Sequence, residues 1–487
     1  MSAHHEQDCS YSDDCPAANL QNAYRTRDRG AHAHPPDALT VAAPRRAPRL
    51  PQTTRTFGAI VTLVALVVIA SVTLPPGGPR TSVAPPWHCI VCGPGGGVDV
   101  VLNVLLFIPL GVGLGMRDAS IRRSTGIALL VSLSVESWQY FVVVGRDATI
   151  SDLITNTTGG CIGAVISTTA LAWLLPSRRR AALLTVGAAA IVSGVLGSTA
   201  LGLQPSIATR LYYAQIEPRP TNPEPFSGRL LSTALNGHAV MYEGELQDAD
   251  GAPWPVVVND RVQLEVVLVP GPTTPRMTPI VRITNARWEA AALIQEHDAL
   301  VFRARTRAAD ARLRAPGLAV AGVLPTSPPP SSDTVRAVAV LEKQGLRLRV
   351  TRGNTVRRYS LPFRVALGWS FLVPYFTVHH QHVVWISAVW LAALLVPVGY
   401  WSRRAAVGAR FAALAMVGIA LVAVPLMADL SATSAVELAG AAIGFGTGLC
   451  LATAIDRRYG SRSGDRSQPE SRERDRIRAT RYHTAEP

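Results

Sequence analysis

Two hydrophobic patterns alternate along the chain. Long apolar runs of helical length occupy 57–74, 98–116, 125–144, 153–175, 181–203, 383–401, 405–428 and 434–455. A hydrocarbon core about 30 Å thick is crossed by about 20 helical residues rising about 1.5 Å each, so these eight runs predict about eight transmembrane helices. From 204 to 363 the apolar runs shorten and are separated by Pro, Gly, Asn and Asp, the pattern of strands and turns. The clearer strands are predicted at 262–269, 279–283, 291–295, 299–305, 335–342 and 346–351. So many short strands in one segment predict an all-β sandwich. The run 364–382 is apolar but short and broken by Pro374, and Trp369, Tyr375 and Phe376 place it at the membrane interface. The fold class that follows is a polytopic α-helical membrane protein with an inserted β-sandwich domain.

Composition agrees with a bilayer as solvent: 48% of the residues are hydrophobic and only 16% are charged, against about 25% charged in ordinary soluble domains. The net charge of +14 does not mark a nucleic-acid binder, because the arginines sit in the tails and in short loops between apolar runs. Lys343 is the only lysine, an arginine bias that points to a GC-rich bacterial genome. Flanking charge also gives a topology. Arg45, Arg46, Arg49 and Arg55 precede the first run; Arg117, Arg122 and Arg123 follow the second; Arg178, Arg179 and Arg180 follow the fourth. Arg403 and Arg404 follow the sixth run, and Arg457 and Arg458 follow the eighth. In an up-and-down path all of these lie on one side, so the positive-inside rule puts both termini in the cytoplasm and 204–363 outside the bacterial inner membrane. The polar stretches 1–56 and 457–487 read as disordered basic tails.

Ionisable residues inside spans are costly and are functional candidates by default. Here they gather in one stretch: Asp99 and Asn103 in the second run, Glu136 and Gln139 in the third, then Gly145-Arg146-Asp147, and Asp152, Asn156, Gly159, Gly160 and Gly163 leading into the fourth. Residues three or four apart share a helix face, so Asp99 stacks with Asn103, Glu136 with Gln139, and Asp152 with Asn156 and the glycines. The topology puts them all in the outer leaflet, with Arg146 as the nearby cation, and predicts a shared polar ligand pocket. Interhelical hydrogen bonding by Asn and small-residue packing by Gly159-x3-Gly163 are the purely structural alternatives. Glu437-x2-Gly440-x3-Gly444 repeats the spacing of Asn156-x2-Gly159-x3-Gly163, either as a distant duplication or as the same packing motif used twice.

Asn103 with Phe107-Ile-Pro-Leu-Gly111, Glu136 with Gln139, and Gly145-Arg146 followed by Asp152, Asn156 and Gly159 resemble, in order and spacing, the signature blocks of VanZ-like proteins. The resemblance spans a four-helix membrane domain at 57–175, leaving a fifth helix at 181–203, the β domain at 204–363 and three helices within 383–456 outside it. It implies a link to teicoplanin tolerance; it implies no catalytic mechanism. In the β segment, Phe226-Ser-Gly228, Val262-Gln-Leu-Glu265, Ile280-Val-Arg-Ile283 and Leu293-Ile-Gln295 resemble concanavalin-like or laminin-G-like jelly rolls, which implies glycan binding or a spacer role.

Cys89 and Cys92 lie in the first outer loop beside His88, where a local disulfide is the leading reading over a metal half-site or two free thiols. Asp248, Asp250 and Asp260 read as acidic turns, and His379, His380 and His382 as interfacial histidines, so no metal or cofactor is assigned. The leading functional reading is an envelope protein that handles a cell-wall precursor or lipid-linked glycan through the outer pocket. The alternatives are a hydrolase or transferase acting on a phosphorylated lipid carrier, with Glu136 or Asp152 as acid or base, and a membrane anchor for a glycan-binding outer domain. The absence of a nucleophile motif and of a phosphate-binding glycine loop ranks the enzymatic reading second.

Overall fold

The computed structural model describes residues 52–75, 91, 95–143, 149–208, 211–216, 226–240, 245–247, 251–285, 288–324, 333–373 and 380–464. In chain order these form α1 (Gln52–Thr73), α2 (Gly96–Gly115), α3 (Ile121–Phe141), α4 (Ile150–Thr168), α5 (Ala170–Leu174) and α6 (Arg178–Leu203). The β domain follows: β1 (Tyr213–Ile216), β2 (Arg229–Leu235), β3 (His238–Ala239), β4 (Val262–Val269), β5 (Thr274–Thr284), β6 (Glu289–His297), β7 (Ala299–Ala304), β8 (Gly317–Val320), β9 (Val335–Glu342), β10 (Gly345–Arg352) and β11 (Thr355–Pro362). The chain then returns through α7 (Val383–Ser402), α8 (Val407–Met427) and α9 (Ala435–Gly464).

Six of these helices, α1, α2, α6, α7, α8 and α9, are long and apolar enough to cross a membrane. The other two expected spans are helical where the apolar pattern places them, but they carry the polar load: Arg122, Arg123 and Glu136 in α3, and Asp152, Asn156 and a run of threonines in α4. The fourth run is also not continuous to 175. Ser167 and Thr168 donate to the Ala164 carbonyl at 3.1 and 2.7 Å and Thr169 to that of Val165 at 2.5 Å, and the helix stops at this hydroxyl cluster before resuming as α5. Back-bonding of this kind competes with the helical ladder and bends it.

Helices in lipid gain nothing from hydrophobic exclusion of one another and associate where small residues let backbones approach. At Gly159 and Gly163 of α4 a Cβ would collide with the Val104 and Ile108 carbonyls of α2, and at Gly111 of α2 with the Gly160 carbonyl. The same geometry recurs in the second half. Gly440, Gly444 and Gly448 of α9 meet the Ala388, Ala392 and Val396 carbonyls of α7, and Gly399 meets that of Phe445. Asn156-x2-Gly159-x3-Gly163 and Glu437-x2-Gly440-x3-Gly444 thus each set their glycines on the carbonyls of a preceding helix.

Polar contacts sort the helix ends into two sets. At one end Arg55 pairs with Asp118, the Tyr400 hydroxyl donates to the Leu174 carbonyl at 2.6 Å, the Trp401 indole to that of Trp173 at 2.8 Å, and Arg404 pairs with Asp456. At the other, the Gly97 amide donates to the Arg312 carbonyl at 3.1 Å, Gln204 donates to the Ala428 carbonyl at 2.7 Å, and Lys343 lies 3.7 Å from Asp429. The basic clusters thus share the end opposite the β domain.

The β domain is two antiparallel sheets, of order β1-β5-β6-β7-β8 and β11-β10-β9-β4-β2-β3, whose inner faces share one core that includes Leu264, Leu268, Leu293, Phe302, Leu346 and Leu348. Strands β4 and β9 begin and end where alternation predicts. Burial works to raise the Glu289 carboxyl on β6, but Arg303 on β7 and Arg282 on β5, the latter at 2.9 Å, hold it below the usual carboxylate range. This three-strand tie contributes stability above the ordinary carboxylate range and loses it only as pH falls through the lowered value. The first part of the run 364–382, expected at the membrane interface, is covered by protein. Val365–Phe371 is a 3-10 helix in which all seven residues are buried. It fits between the β domain and the helices because the Trp369 indole donates to Ser387 of α7 at 3.0 Å and the Phe371 ring lies against Gly202 of α6. Nothing in its composition distinguishes burial in protein from burial in lipid.

Gly163→Val should wedge α2 from α4 and lower stability by about 1–3 kcal/mol, read as a lower melting temperature in detergent. Gly187→Val, on the open face of α6, should have a far smaller effect, confined to helix propensity. The positive-inside orientation predicts that a membrane-impermeant maleimide labels Asp333→Cys, but not Asp118→Cys, in a cysteine-free background in intact spheroplasts.

Candidate functional site

Three helix ends build the site. Thr149 is the N-cap of α4: its hydroxyl accepts from the Asp152 amide at 3.3 Å and donates to the Asp152 carboxylate at 3.0 Å. A threonine before a helix with an acidic residue three positions on is a capping arrangement that satisfies otherwise orphaned amides. The cap fixes Asp152, whose second oxygen accepts from the Asn103 amide of α2 at 2.5 Å. Glu136 of α3, only 8% exposed, accepts from the Thr149 amide at 3.1 Å. Asn103, Asp152, Thr149 and Glu136 thus form one chain of hydrogen bonds across α2, α4 and α3, and such networks hold costly buried carboxylates in place.

One turn deeper, Asn156 donates to Ser132 of α3 at 3.0 Å, while its side-chain oxygen is buried with no hydrogen-bond partner among the described residues. Gln139, buried like its neighbour Glu136, does not join the chain; it donates to the Thr73 carbonyl at 2.9 Å and closes the end of α1. Asp99 is exposed one turn above Asn103. It stands with Asn103 and Thr73 at the edge of a groove of about 770 Å³ between α1 and α2, whose walls are otherwise apolar, with Val64, Val68, Val72, Leu102 and Leu106 among them. Arg146, Asp147, Cys89, Cys92, Asp248, Asp250 and His379 lie outside the described residues. Among the described residues no group of three His, Cys, Asp or Glu is placed to hold a metal ion.

Thr149 and Ser132 are the participants that motif reading passed over. The first was findable as an N-cap followed by Asp152; the second sits one turn before Glu136 on the same α3 face. Taken together, the described groups offer carboxylate and amide acceptors at the head of an apolar slot, an arrangement suited to a ligand with hydroxyl or amide donors and a hydrocarbon tail.

The helices that supply this network, α1 to α4, fall within a single stretch of recognisable sequence. Residues 47–174 match the VanZ/LLP1 family model. The match ends before α6, so the VanZ-like domain contains the whole hydrogen-bonded chain and excludes the β domain and the second set of helices. No curated protein and no solved structure matches the chain. The protein is therefore a membrane protein whose residues 47–174 are similar to the VanZ/LLP1 family.

If the Asn103 to Asp152 bond links α2 and α4, the single variants Asn103→Ala and Asp152→Asn and their combination should be non-additive in thermal unfolding. The expected coupling is about 0.6–1.7 kcal/mol; strict additivity would place the two side chains apart.

Proposed function

We propose that the VanZ-like domain holds an amphiphilic, lipid-linked cell-wall ligand at the extracytoplasmic face of the inner membrane and in this way contributes to glycopeptide tolerance. The observation that carries the reading is the hydrogen-bonded chain Asn103, Asp152, Thr149 and Glu136, joined through Asn103 to the apolar groove between α1 and α2. A polar head on the carboxylates and amide, with a hydrocarbon tail in the groove, uses both halves of the site. The basic ends of the helices lie opposite, which supports an outward-facing pocket. Arg146, which follows α3 in sequence, is assigned the anionic part of the head.

Purified protein in nanodiscs should bind a labelled lipid-linked peptidoglycan precursor saturably, with at least a tenfold loss for Glu136→Gln, Asp152→Asn and Arg146→Ala. Unchanged binding in all three variants removes the pocket from the reading, and turnover of the labelled lipid would replace it with an enzymatic one. In cells, deletion of the gene should lower the inhibitory concentration of teicoplanin, and the intact chain should restore it.

A further inference from the structure

The outward face of the six-stranded sheet carries charge that the sheet does not neutralise. Strands β4, β9, β10 and β11 floor an open trough of about 920 Å³. Alternation along β10 buries Leu346, Leu348 and Val350 in the core and turns Arg347, Arg349 and Thr351 toward the trough. Five arginines line it against two glutamates. Both glutamates are committed: Glu265 pairs with Arg336 at 2.6 Å, and Glu342 with Arg347 at 3.0 Å and Arg261 at 3.8 Å. Arg349 and Arg358 have no ion pair among the described residues, and they stand directly opposite each other in the β10–β11 ladder. Like charges at directly opposed positions destabilise a sheet. The adjoining pairs on this face, Arg347 with Ser360 and Thr351 with Val356, show that the strand pairing does not itself demand arginine.

We propose that this trough binds an extended anionic glycan polymer, with its phosphate or carboxylate groups seated on Arg349 and Arg358. Two guanidinium forks on neighbouring strands present parallel donors matched to such oxyanions. Gln263, Thr351 and Ser360, which also line the trough, add amide and hydroxyl groups for sugar hydroxyls. A flat lipid surface fits the placement less well. The sheet is fastened to the α8–α9 loop at the β9–β10 turn and the end of β11, where Ser431 donates to the Gln344 and Phe363 carbonyls and Lys343 faces Asp429, and Tyr359 of β11 meets the His380 ring. From that turn β10 runs eight residues, roughly 27 Å at about 3.4 Å each, so the trough extends well away from that attachment. The site is separate from the VanZ-like pocket and does not depend on its ligand.

The test uses the full chain in phosphatidylcholine nanodiscs and fluorescent poly(glycerol phosphate), polygalacturonate and neutral dextran, followed by anisotropy across a salt series. Binding is expected for at least one of the two anionic polymers and not for dextran, and it should weaken as salt rises. Arg349→Gln with Arg358→Gln should weaken it at least tenfold and flatten the salt dependence by about two counterions. Arg229→Gln with Arg307→Gln, a pair of exposed arginines outside the trough, should leave it unchanged. Arg349→Glu should abolish binding while the melting temperature holds, because the new carboxylate faces Arg358. Three results would overturn the proposal: no salt-dependent binding of either polymer, equal loss in the control pair, or capture of phosphatidylglycerol vesicles in preference to both polymers.

Discussion

Backbone-to-backbone contact between α2 and α4 is the constraint from which the membrane half of the molecule follows. A single Cβ at Gly159, Gly163 or Gly111 would push a helix off its partner's carbonyls. In lipid no hydrophobic penalty would drive the two back together. Close approach at this depth also sets the distance between the helix ends above it, and that distance lets the Asn103 amide reach Asp152. The polar chain is thus a product of the glycine seam beneath it. The same economy serves the second half, where the α7–α9 seam supports a different head group: Glu437 caps its own helix by accepting from the Ser434 amide at 2.7 Å, and Arg364 lies 3.8 Å away.

What could be read from the residues divides along physical lines. Apolar run length is a strong signal, and it located the helices despite the polar content of α3 and α4. Alternation located β4 and β9, but β11 went unrecognised because Arg357, Arg358 and Tyr359 break the pattern that a half-buried strand shows. The short β1, β3 and β8 carry too few residues for period two to be distinguished from chance, and in β2 a bulge between Leu230 and Ser232 breaks the alternation. Val365–Phe371 was expected at the membrane interface, and its cover of protein shows only in the neighbouring Ser387 and Gly202.

Within the site, residue type was legible and pairing was not. The cost of polar groups in a span singled out Asn103, Glu136, Asp152 and Asn156 without any structure. Spacing along one helix groups Glu136 with Gln139, and the two do share a face, yet they bond to different elements: Glu136 to the start of α4 and Gln139 to the end of α1. Helical periodicity gives neighbours on a face, while hydrogen bonds here run between helices whose relative depth no single segment encodes.

The β domain enters after Gln204 and leaves before Arg364, and both flanks fasten to the same short loop: Gln204 to Ala428, and Phe363 to Ser431. That has a consequence for biogenesis. When α6 leaves the ribosome, its partners α7 and α8 are still unmade, and the loop that receives both flanks is synthesised only after α8. The domain therefore begins folding on a tether with one end secured. The final seating of the buried 365–371 helix, and with it the closing of the second helical half, is reserved for the last stage of synthesis.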